Sequence, residues 1–187
     1  MENTKRQDIQ RVLITEQELQ ATVERLAGEI DRHYANSKKP LMMVGILKGS
    51  VVFMTDLMRR IKHPLMIDFM QASSYGSSTV SCGNVNLRLD LKCQDLQNYD
   101  LLVVEDILDS GNTLSCIMKY LKAKGADDVR LCTLLDKPDR RKVDVTVDFR
   151  GIEIPDEFVI GYGLDYNELY RNLPYIGVLD PSVYESN

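Results

Sequence analysis

Three carboxylates lie within five consecutive positions of this chain, at Glu105, Asp106 and Asp109, and Ser-Gly-Asn-Thr follows at 110–113. Adjacent carboxylates such as the first two suit a hard cation such as Mg²⁺, or the hydroxyls of a ribose. The Ser-Gly-Asn-Thr segment opens a helical pattern, and the N-terminus of a helix binds phosphate through its free N–H groups. Three acids beside one turn repel each other unless positive charge is bound. The pattern therefore indicates chemistry on a phosphorylated ribose.

The residues before these acids predict how the acids are positioned. Residues 101–104 are four consecutive apolar residues, as expected of a strand that is buried on both faces of a parallel sheet. We expect this strand to end at the two adjacent carboxylates, and a helix to run from Thr113 to Lys124. Ligands of an open α/β sheet bind just outside the carboxyl ends of its strands. The acids and the start of the helix therefore lie where such a sheet holds a ligand.

The rest of the chain alternates predicted strands with predicted helices. Thr15 and Glu18 form a capping-box pattern, and apolar residues then recur at helical spacing as far as Tyr34. This alternation favours an α/β fold with a mostly parallel, doubly wound sheet flanked by helices. Beyond the first helix and the acidic segment, the predicted elements are strands at 41–47, 65–71, 85–91 and 129–135, a helix at 51–61, and short strands at 145–149, 158–160 and 176–179.

Two segments do not fit this alternation. The tail from about residue 151 is irregular, and we expect it to form a small hood over the sheet edge together with part of the N-terminus. The stretch from about 73 to 84 is polar and rich in Ser and Gly, which is typical of a mobile lid or of a disordered loop. We expect residues 1–187 to form a single domain, because the length suits one core and no linker interrupts the sequence.

The composition restricts the classes of partner. The 187 residues carry a net charge of −5 with no basic block, which argues against a nucleic-acid-binding surface. No apolar stretch has the length of a membrane span. The N-terminal residues are polar and lack the apolar core of a signal peptide. We therefore expect a cytoplasmic protein without a nucleic-acid or membrane partner.

Residues 101–114 also resemble a known signature, the phosphoribosyl-pyrophosphate motif of the type I phosphoribosyltransferases. The motif is an apolar strand, two acids, two apolar residues, Asp, Ser or Thr, Gly, any residue and Thr, and the chain matches it throughout. The resemblance implies the type I phosphoribosyltransferase fold, with a small hood subdomain. It implies that Glu105 and Asp106 hold ribose hydroxyls and magnesium, and that Asp109 is the general base or acid at a purine ring. The residues implied to bind the phosphoribosyl group and its 5′-phosphate are Glu105, Asp106, Asp109, Ser110, Gly111, Asn112 and Thr113.

Four more segments resemble the hypoxanthine-guanine branch of that family. The first resembles its pyrophosphate loop, in which Lys48 and Gly49 bind pyrophosphate and the peptide between them can be cis. The second, from about 73 to 84, resembles its mobile catalytic loop, whose Ser-Tyr pair corresponds to Ser74 and Tyr75. These two residues are implied to close over the pyrophosphate and to exclude water from the reaction.

The remaining two segments resemble the purine site of the branch. Lys137 is implied to donate to the oxygen at C6 of the purine, which selects a 6-oxopurine over a 6-aminopurine. The hood segment, residues 158–168, is implied to stack Phe158 on the base and to read the purine edge with the main chain of Val159. Asp165 is implied to contribute to the purine site and to hold a second magnesium, and Arg171 is implied to bind the pyrophosphate.

Together these segments imply a purine salvage transferase that uses Mg²⁺. It would move 5-phosphoribosyl from phosphoribosyl pyrophosphate to N9 of hypoxanthine, guanine or both, giving IMP or GMP and pyrophosphate. A homodimer or homotetramer is implied as well. Two alternatives stay open. One is a regulator that keeps the fold as a nucleotide sensor. The other is a transferase that prefers xanthine, because Lys137 does not distinguish one 6-oxopurine from another.

Overall fold

The computed structural model describes residues 8–73, 81–82 and 85–184, which form two sheets and four α-helices. In chain order the elements are β1 Ile9–Ile14, α1 Glu16–Tyr34, β2 Leu41–Ile46, α2 Ser50–Met58, β3 Leu65–Ser73, β4 Ser81–Cys82, β5 Val85–Leu89, β6 Asp100–Leu108, α3 Asn112–Ala123, β7 Asp128–Asp136, β8 Phe149–Glu153, β9 Val159–Ile160, β10 Ile176–Leu179 and α4 Pro181–Tyr184. Short 3₁₀ turns lie at Leu96–Asn98 and Pro138–Arg140.

The larger sheet has the strand order β4-β5-β3-β2-β6-β7-β8. Strands β3, β2, β6, β7 and β8 pair with one another in parallel. At one edge, β5 pairs antiparallel with β3, and β4 pairs antiparallel with β5. Helices α1 and α2 pack against one face of the sheet, and α3 packs against the other face. The predicted α/β fold with a mostly parallel, doubly wound sheet is therefore confirmed.

Helix α1 begins at a local capping signal and is held in place by packing against the sheet. The hydroxyl of Thr15 accepts a hydrogen bond from the Glu18 N–H at 3.3 Å, and the Glu18 carboxylate accepts one from the Thr15 N–H at 2.8 Å. This is the predicted capping box, which satisfies two donors at the helix start. The apolar stripe that ends at Tyr34 is buried against the sheet, so both predictions for this helix are confirmed.

Strand β10 lies between β1 and β9 in a smaller antiparallel sheet, which we call the hood sheet. It joins the N-terminal strand to residues from the last third of the chain. Residues 151–153, which we had assigned to the hood, instead continue the larger sheet as the end of β8. Whether the hood sheet acts as a subdomain of one domain stays a prediction.

Two predicted element bounds are wrong by three residues or more. Residues 145–148 form no strand, and β8 begins only at Phe149. Val145 and Val147 instead pack on the apolar cluster of α3, which explains an alternating pattern without strand pairing. Helix α2 ends at Met58, three residues before the predicted end at Ile61, although the Ile61 side chain is buried as an extended helix would require.

The described helices include none that is both long enough and apolar enough to cross a lipid bilayer.

Candidate active site

The acidic segment lies on the central strand of the larger sheet. We expected strand β6 to end at the two acids, but it continues through them to Leu108. The cause is the pairing of β6 with β7, which extends to Leu108, while the pairing with β2 stops at Val104. Consecutive side chains of a strand point to opposite faces, so Glu105 lies on the α3 side and Asp106 on the α2 side.

Asp106 packs directly on the start of α2. A Cβ atom added at Gly49 would overlap the Oδ2 atom of Asp106, so this position requires glycine for the close approach. Its φ of −60° is ordinary, and backbone conformation is therefore not the reason for the glycine. The cis peptide of this loop joins Leu47 to Lys48, one bond earlier than the bond between Lys48 and Gly49 that the resemblance implied.

The turn between β6 and α3 forms a pocket of about 100 Å³, which we call the Gly111 pocket. Gly111 has a φ of +82°, in the left-handed region that favours glycine, and directly precedes the first residue of α3. The carbonyl of Ser110 accepts hydrogen bonds from the N–H groups of Lys142 and Val143, at 2.9 and 3.1 Å, which fixes the turn. The pocket is lined by Glu105, Ile107, Leu108, Asp109, Ser110, Gly111, Thr113 and Leu114. An open helix N-terminus in a small polar pocket suits a phosphate group.

The two adjacent acids bind protons more tightly than ordinary carboxyl groups. Burial, and then the neighbouring Asp106, raise the pKa of Glu105 well above its usual range. Burial raises the pKa of Asp106 to about 6, and the Asp165 carboxylate adds to the effect. Hydrogen bonds from backbone amides and the nearby Arg171 oppose this rise. The Oε2 atom of Glu105 is buried without a hydrogen-bond partner. Both acids therefore lie where a cation or a hydroxyl donor would favour the ionised form.

Asp109 faces two arginines that sequence reasoning missed. Its carboxylate forms an ion pair with Nε of Arg140 at 3.3 Å, and its carbonyl accepts a hydrogen bond from Nε of Arg141 at 3.0 Å. Arg141 is fixed in turn by an ion pair with the buried Asp136 at the end of β7. Arg140 lies in the 3₁₀ turn and Arg141 follows it. The turn also exposes other charged residues, so the spacing of the two arginines does not by itself predict their contact with Asp109.

A chain of alternating charges continues from Asp109 to Lys137. Nη1 of Arg140 lies 3.6 Å from Oδ2 of Asp156, and Nζ of Lys137 lies 3.6 Å from Oδ1 of the same carboxylate. Lys137 is only 8% exposed, so its charge is aimed into the protein rather than into solvent. Sequence reasoning also missed Asp156, because only the folding of the chain brings it next to Lys137.

These charges line a cleft of about 350 Å³, which we call the Lys137 cleft. Phe158 stands at its edge, 39% exposed. The ring of Tyr184 stacks on Phe158 with a centroid distance of 5.2 Å, and Tyr166 meets Phe158 edge to face at 5.6 Å. Tyr184 comes from the far end of the chain, and sequence reasoning did not include it. The cleft is lined by Ile107, Asp109, Lys137, Arg140, Asp156, Glu157, Phe158, Val159, Leu164, Asp165 and Tyr184.

Three of the predicted pyrophosphate residues, Lys48, Gly49 and Arg171, meet where the loop before α2 contacts residues 161–171. A Cβ atom added at Gly163 would overlap the carbonyl oxygen of Gly49, so the two backbones touch. Nη1 of Arg171 donates to the Gly163 carbonyl at 2.7 Å, and Nη2 forms an ion pair with Asp165 at 2.7 Å. Lys48 reaches the same place and pairs with Glu168 at 2.8 Å, a residue that we did not predict.

The structure therefore brings many of the predicted site residues together at two cavities. Asp109, Lys137, Phe158, Val159 and Asp165 share the Lys137 cleft, and Asp109 also lines the Gly111 pocket. Ser74 and Tyr75 lie outside the described residues. The predicted metal ligands Glu105, Asp106 and Asp165 do not form a single cluster, and no group of three or more Asp, Glu, His or Cys residues in the described part of the chain is arranged to hold a metal ion.

Another cavity lies away from these residues. It has a volume of about 420 Å³ and lies between α3, the start of β7 and residues 144–148. None of the predicted site residues lines it, and three of the charged residues around it pair with one another, since Arg130 lies 2.9 Å from both Asp128 and Asp148. The chemistry that the sequence indicates is therefore concentrated at the carboxyl ends of β2, β6 and β7.

Comparison with known proteins identifies the family. Residues 13–167 match the phosphoribosyl transferase domain. The chain belongs to the phosphoribosyltransferase family. Its curated relatives include the hypoxanthine-guanine phosphoribosyltransferase of Bacillus subtilis, which is 49% identical over 179 residues, covering 96% of this chain and 98% of that protein. The resemblance seen in the sequence is thereby confirmed.

Solved structures agree with this assignment. A hypoxanthine phosphoribosyltransferase from Staphylococcus aureus superposes with a TM-score of 0.89 at 48% identity, covering 98% of both chains. The hypoxanthine phosphoribosyl transferase of Trypanosoma cruzi superposes with a TM-score of 0.87 at 34% identity, covering 95% of both chains. The type I phosphoribosyltransferase fold is thus shown for this phosphoribosyltransferase.

Proposed function

We propose that this phosphoribosyltransferase transfers 5-phosphoribosyl from phosphoribosyl pyrophosphate to N9 of hypoxanthine or guanine. The products are IMP or GMP and pyrophosphate, which makes the reaction a step of purine salvage. One observation carries the proposal: Asp109 lines both the Gly111 pocket, which suits a phosphate, and the Lys137 cleft, which suits a purine. A phosphorylated ribose and a purine bound in these two sites meet at Asp109.

The phosphoribosyl group is assigned to the turn between β6 and α3. The N–H groups and hydroxyls of residues 110–113 bind the 5′-phosphate, since this turn opens the 12-residue helix α3. Glu105 and Asp106 bind the ribose hydroxyls. The buried and unpartnered Oε2 atom of Glu105 supports this assignment, because a buried acceptor without a donor is otherwise costly.

The purine is assigned to the Lys137 cleft. Lys137 donates to the oxygen at C6, and its burial supports the role because a cationic donor in such a place rejects the amino group of a 6-aminopurine. Phe158 stacks on the base, and the ring of Tyr184, which also lines the cleft, packs on Phe158. The main chain of Val159 reads the purine edge, and Asp165 completes the cleft.

Asp109 is assigned the proton transfer at N7 of the purine, which makes N9 more nucleophilic. The Arg140 guanidinium, whose Nε lies 3.3 Å from the Asp109 carboxylate, holds that carboxylate at the cleft. N9 then attacks carbon 1 of the ribose from the face opposite the pyrophosphate. Lys48, Gly49 and Arg171 bind the departing pyrophosphate, and closure of Ser74 and Tyr75 over it stays a prediction.

Magnesium fits the donor set of this site. Mg²⁺ is commonly bound through one or two carboxylates together with substrate phosphates, and so needs no cage of three protein ligands. Burial raises the pKa of Glu105 and of Asp106, and a cation bound beside them would favour the ionised form of both. We assign one ion to Glu105 and Asp106, directly or through water, and a second to Asp165. When bound, the ion neutralises charge that develops on the pyrophosphate.

A homo-oligomer is part of the proposal. Met66 and Ile67 on β3 are 48% and 46% exposed, and among the described residues β3 pairs only with β2 along this part of its length. Apolar side chains exposed on an unpaired strand edge favour a contact with a second copy. Light scattering on a sizing column distinguishes a dimer or tetramer from a monomer.

Turnover with one base at a time tests the substrate class. The purified protein is mixed with phosphoribosyl pyrophosphate, Mg²⁺ and hypoxanthine, guanine, xanthine or adenine, and the change in purine absorbance is followed. We expect rapid turnover with the first two bases, its loss on chelation, and no turnover with adenine. Preference for xanthine would replace the assigned base, and binding of phosphoribosyl pyrophosphate without turnover of any base would indicate a nucleotide sensor.

A further inference from the structure

Glu168 connects the two cations that the proposed function assigns to pyrophosphate. Nζ of Lys48 donates to its Oε1 at 2.8 Å, and Nη2 of Arg171 donates to its Oε2 at 3.2 Å. The two cations come from different parts of the fold, since Lys48 precedes α2 and Arg171 follows the hood segment. A single carboxylate therefore lies between them and accepts from both, as an oxygen-rich anion would.

The local backbone holds Glu168 in this position. Glu168 has a φ of +64° and Asn167 a φ of +49°, both in the left-handed region that non-glycine residues rarely adopt. The N–H of Glu168 donates to Oδ2 of Asp165 at 2.9 Å, and the backbones of Tyr166 and Leu169 pair in both directions. These contacts stabilise an unfavourable turn whose result is the placement of the Glu168 carboxylate beside the cations.

The charges of this cluster balance. Lys48 and Arg171 are countered by Glu168 and Asp165, the latter at 2.7 Å from Arg171. An incoming diphosphate therefore finds both of its cationic partners already engaged.

We propose that Glu168 is an internal competitor of pyrophosphate. Its carboxylate occupies the anion position between Lys48 and Arg171 when the site is free, and leaves it when the diphosphate of the substrate binds. It returns when pyrophosphate departs, which lowers the affinity for this product. The inference rests on the proposed function, which assigns Lys48 and Arg171 to pyrophosphate.

The exposure of the pair makes such an exchange feasible. The Lys48 and Glu168 side chains are 52% and 64% exposed, and ion pairs at such exposure are weak because solvent competes for both partners. A diphosphate, which carries several charges, displaces one carboxylate without disrupting any buried contact. The Glu168 carboxylate then moves into water, where its charge is well solvated.

Calorimetric titration with pyrophosphate at a fixed free magnesium concentration tests the proposal. We expect Glu168→Gln to bind pyrophosphate about three- to tenfold more tightly than the wild-type protein, because two weak ion pairs no longer compete. The gain should shrink at high salt, which screens exposed charges. It should also shrink when Lys48→Met is introduced into both proteins, because one contested cation is then absent.

Glu29→Gln is the matched control. Glu29 is another glutamate in an arginine ion pair, at 2.8 Å from Arg25 on α1, and it lies in neither the Lys137 cleft nor the Gly111 pocket. Its substitution should leave pyrophosphate affinity unchanged. Equal or weaker binding by Glu168→Gln, or no measurable binding by either protein, would overturn the role of Glu168.

Turnover of hypoxanthine, measured on the same preparations, separates the two proposals. A wild-type protein that turns over hypoxanthine while Glu168→Gln shows no tighter pyrophosphate binding contradicts only the competitor role. A wild-type protein without turnover contradicts the proposed function, and the pyrophosphate titration still decides the role of Glu168.

Discussion

At the scale of single residues, the contacts of Asp109 explain its assignment better than its position in the motif does. The spacing of the acidic segment predicts that Asp109 lies at a ligand site, and the structure adds Arg140 at 3.3 Å and its place between two cavities. The arginine orients the carboxylate, and a general base must be held within reach of the proton that it takes.

Asp109→Asn removes the proton acceptor with little change of shape. We expect the turnover number to fall by about a hundredfold to ten-thousandfold, the usual contribution of a positioned acid–base group, while phosphoribosyl pyrophosphate still binds. Steady-state kinetics and titration of phosphoribosyl pyrophosphate measure the two effects. Asp139→Asn, in the exposed turn beside Arg140, is the control and should be neutral. Unchanged turnover in Asp109→Asn would remove Asp109 from this role.

Lys137→Ala should weaken purine binding far more than phosphoribosyl pyrophosphate binding. A hydrogen bond from a charged donor contributes about 1.5–3 kcal/mol, which corresponds to a loss of roughly ten- to a hundredfold in purine affinity. Product inhibition by IMP and the KM for hypoxanthine report this loss. Lys119→Ala, at an exposed lysine of α3, should change neither quantity. Equal losses for both substrates would argue that Lys137 supports the fold rather than the base.

The raised pKa of Asp106 predicts a pH-dependent cost in the free enzyme. In the unfolded chain the carboxyl ionises near pH 3.9, whereas in the fold burial raises its pKa to about 6. Between these values the unfolded state loses its proton first, so the wild-type fold loses stability as the pH rises. Asp106→Asn should therefore be more stable than the wild-type protein at pH 7.5, by on the order of 2 kcal/mol, and not at pH 4.

Urea unfolding of both proteins at the two pH values, in the presence of a chelator, measures this difference. The variant should also bind phosphoribosyl pyrophosphate more weakly, because it lacks the carboxylate assigned to the ribose and the metal. A stability gain of the same size at pH 4 and pH 7.5 would show that ionisation of Asp106 is not its cause.

The residues that sequence reasoning missed share one property. Arg140, Asp156, Glu168 and Tyr184 act through partners that are distant in sequence, such as the pair between Glu168 and Lys48. Glu105 to Thr113, by contrast, could be predicted because one strand-to-turn-to-helix segment positions all of them. Local spacing predicts a site that a single segment builds, but not the charges that other segments add to it.

At the scale of elements, the loop before α2 and the hood segment act as one surface. Gly163 has a φ of +106°, and its Cα lies against the carbonyl of Gly49. This backbone contact brings Arg171 to the loop that carries Lys48, and so determines the distance between the two cations. The pyrophosphate site therefore depends on an approach that only glycine permits.

Gly163→Ala should disrupt this contact. Both the positive φ and the overlap with the Gly49 carbonyl oppose a side chain, so we expect a loss of more than about 1 kcal/mol of stability together with weaker pyrophosphate binding. Gly28→Ala is the matched control, because its Cβ would meet only the end of Arg32 at 3.5 Å within α1. There a helix interior should gain about 0.5–1 kcal/mol.

Thermal unfolding and pyrophosphate titration of the two alanine variants test this account. Opposite shifts in stability, with weaker binding confined to Gly163→Ala, are the expected result. Unchanged pyrophosphate affinity in a folded Gly163→Ala protein would show that the spacing of the two elements does not matter for the anion.

Elements with a complete local signal were predicted well, and those without one were not. Helix α1 has both a capping box and a buried apolar stripe, and its start at Glu16 agrees with the prediction. The segment 145–148 has alternating apolar residues but no strand partner, since its valines pack on the cluster of α3. An apolar pattern reports burial, and burial by itself does not distinguish a strand from a packed loop.

At the scale of the whole molecule, strand order explains why distant segments form one site. Strands β2, β6 and β7 are neighbours in the larger sheet, so Lys48, Asp109 and Lys137, which follow their carboxyl ends, lie side by side. Residues 158–171 contribute the remaining side chains, from Phe158 to Arg171. The order of strands is not encoded in any single segment, and so the sequence did not predict it.

The stoichiometry of products tests the central claim most directly. Enzyme is incubated with phosphoribosyl pyrophosphate, hypoxanthine and Mg²⁺, and IMP and pyrophosphate are quantified by chromatography. The account predicts one IMP and one pyrophosphate for each hypoxanthine consumed, with a large loss of rate in Asp109→Asn. Binding of both substrates without formation of IMP, or formation of IMP at an unchanged rate in Asp109→Asn, would contradict it.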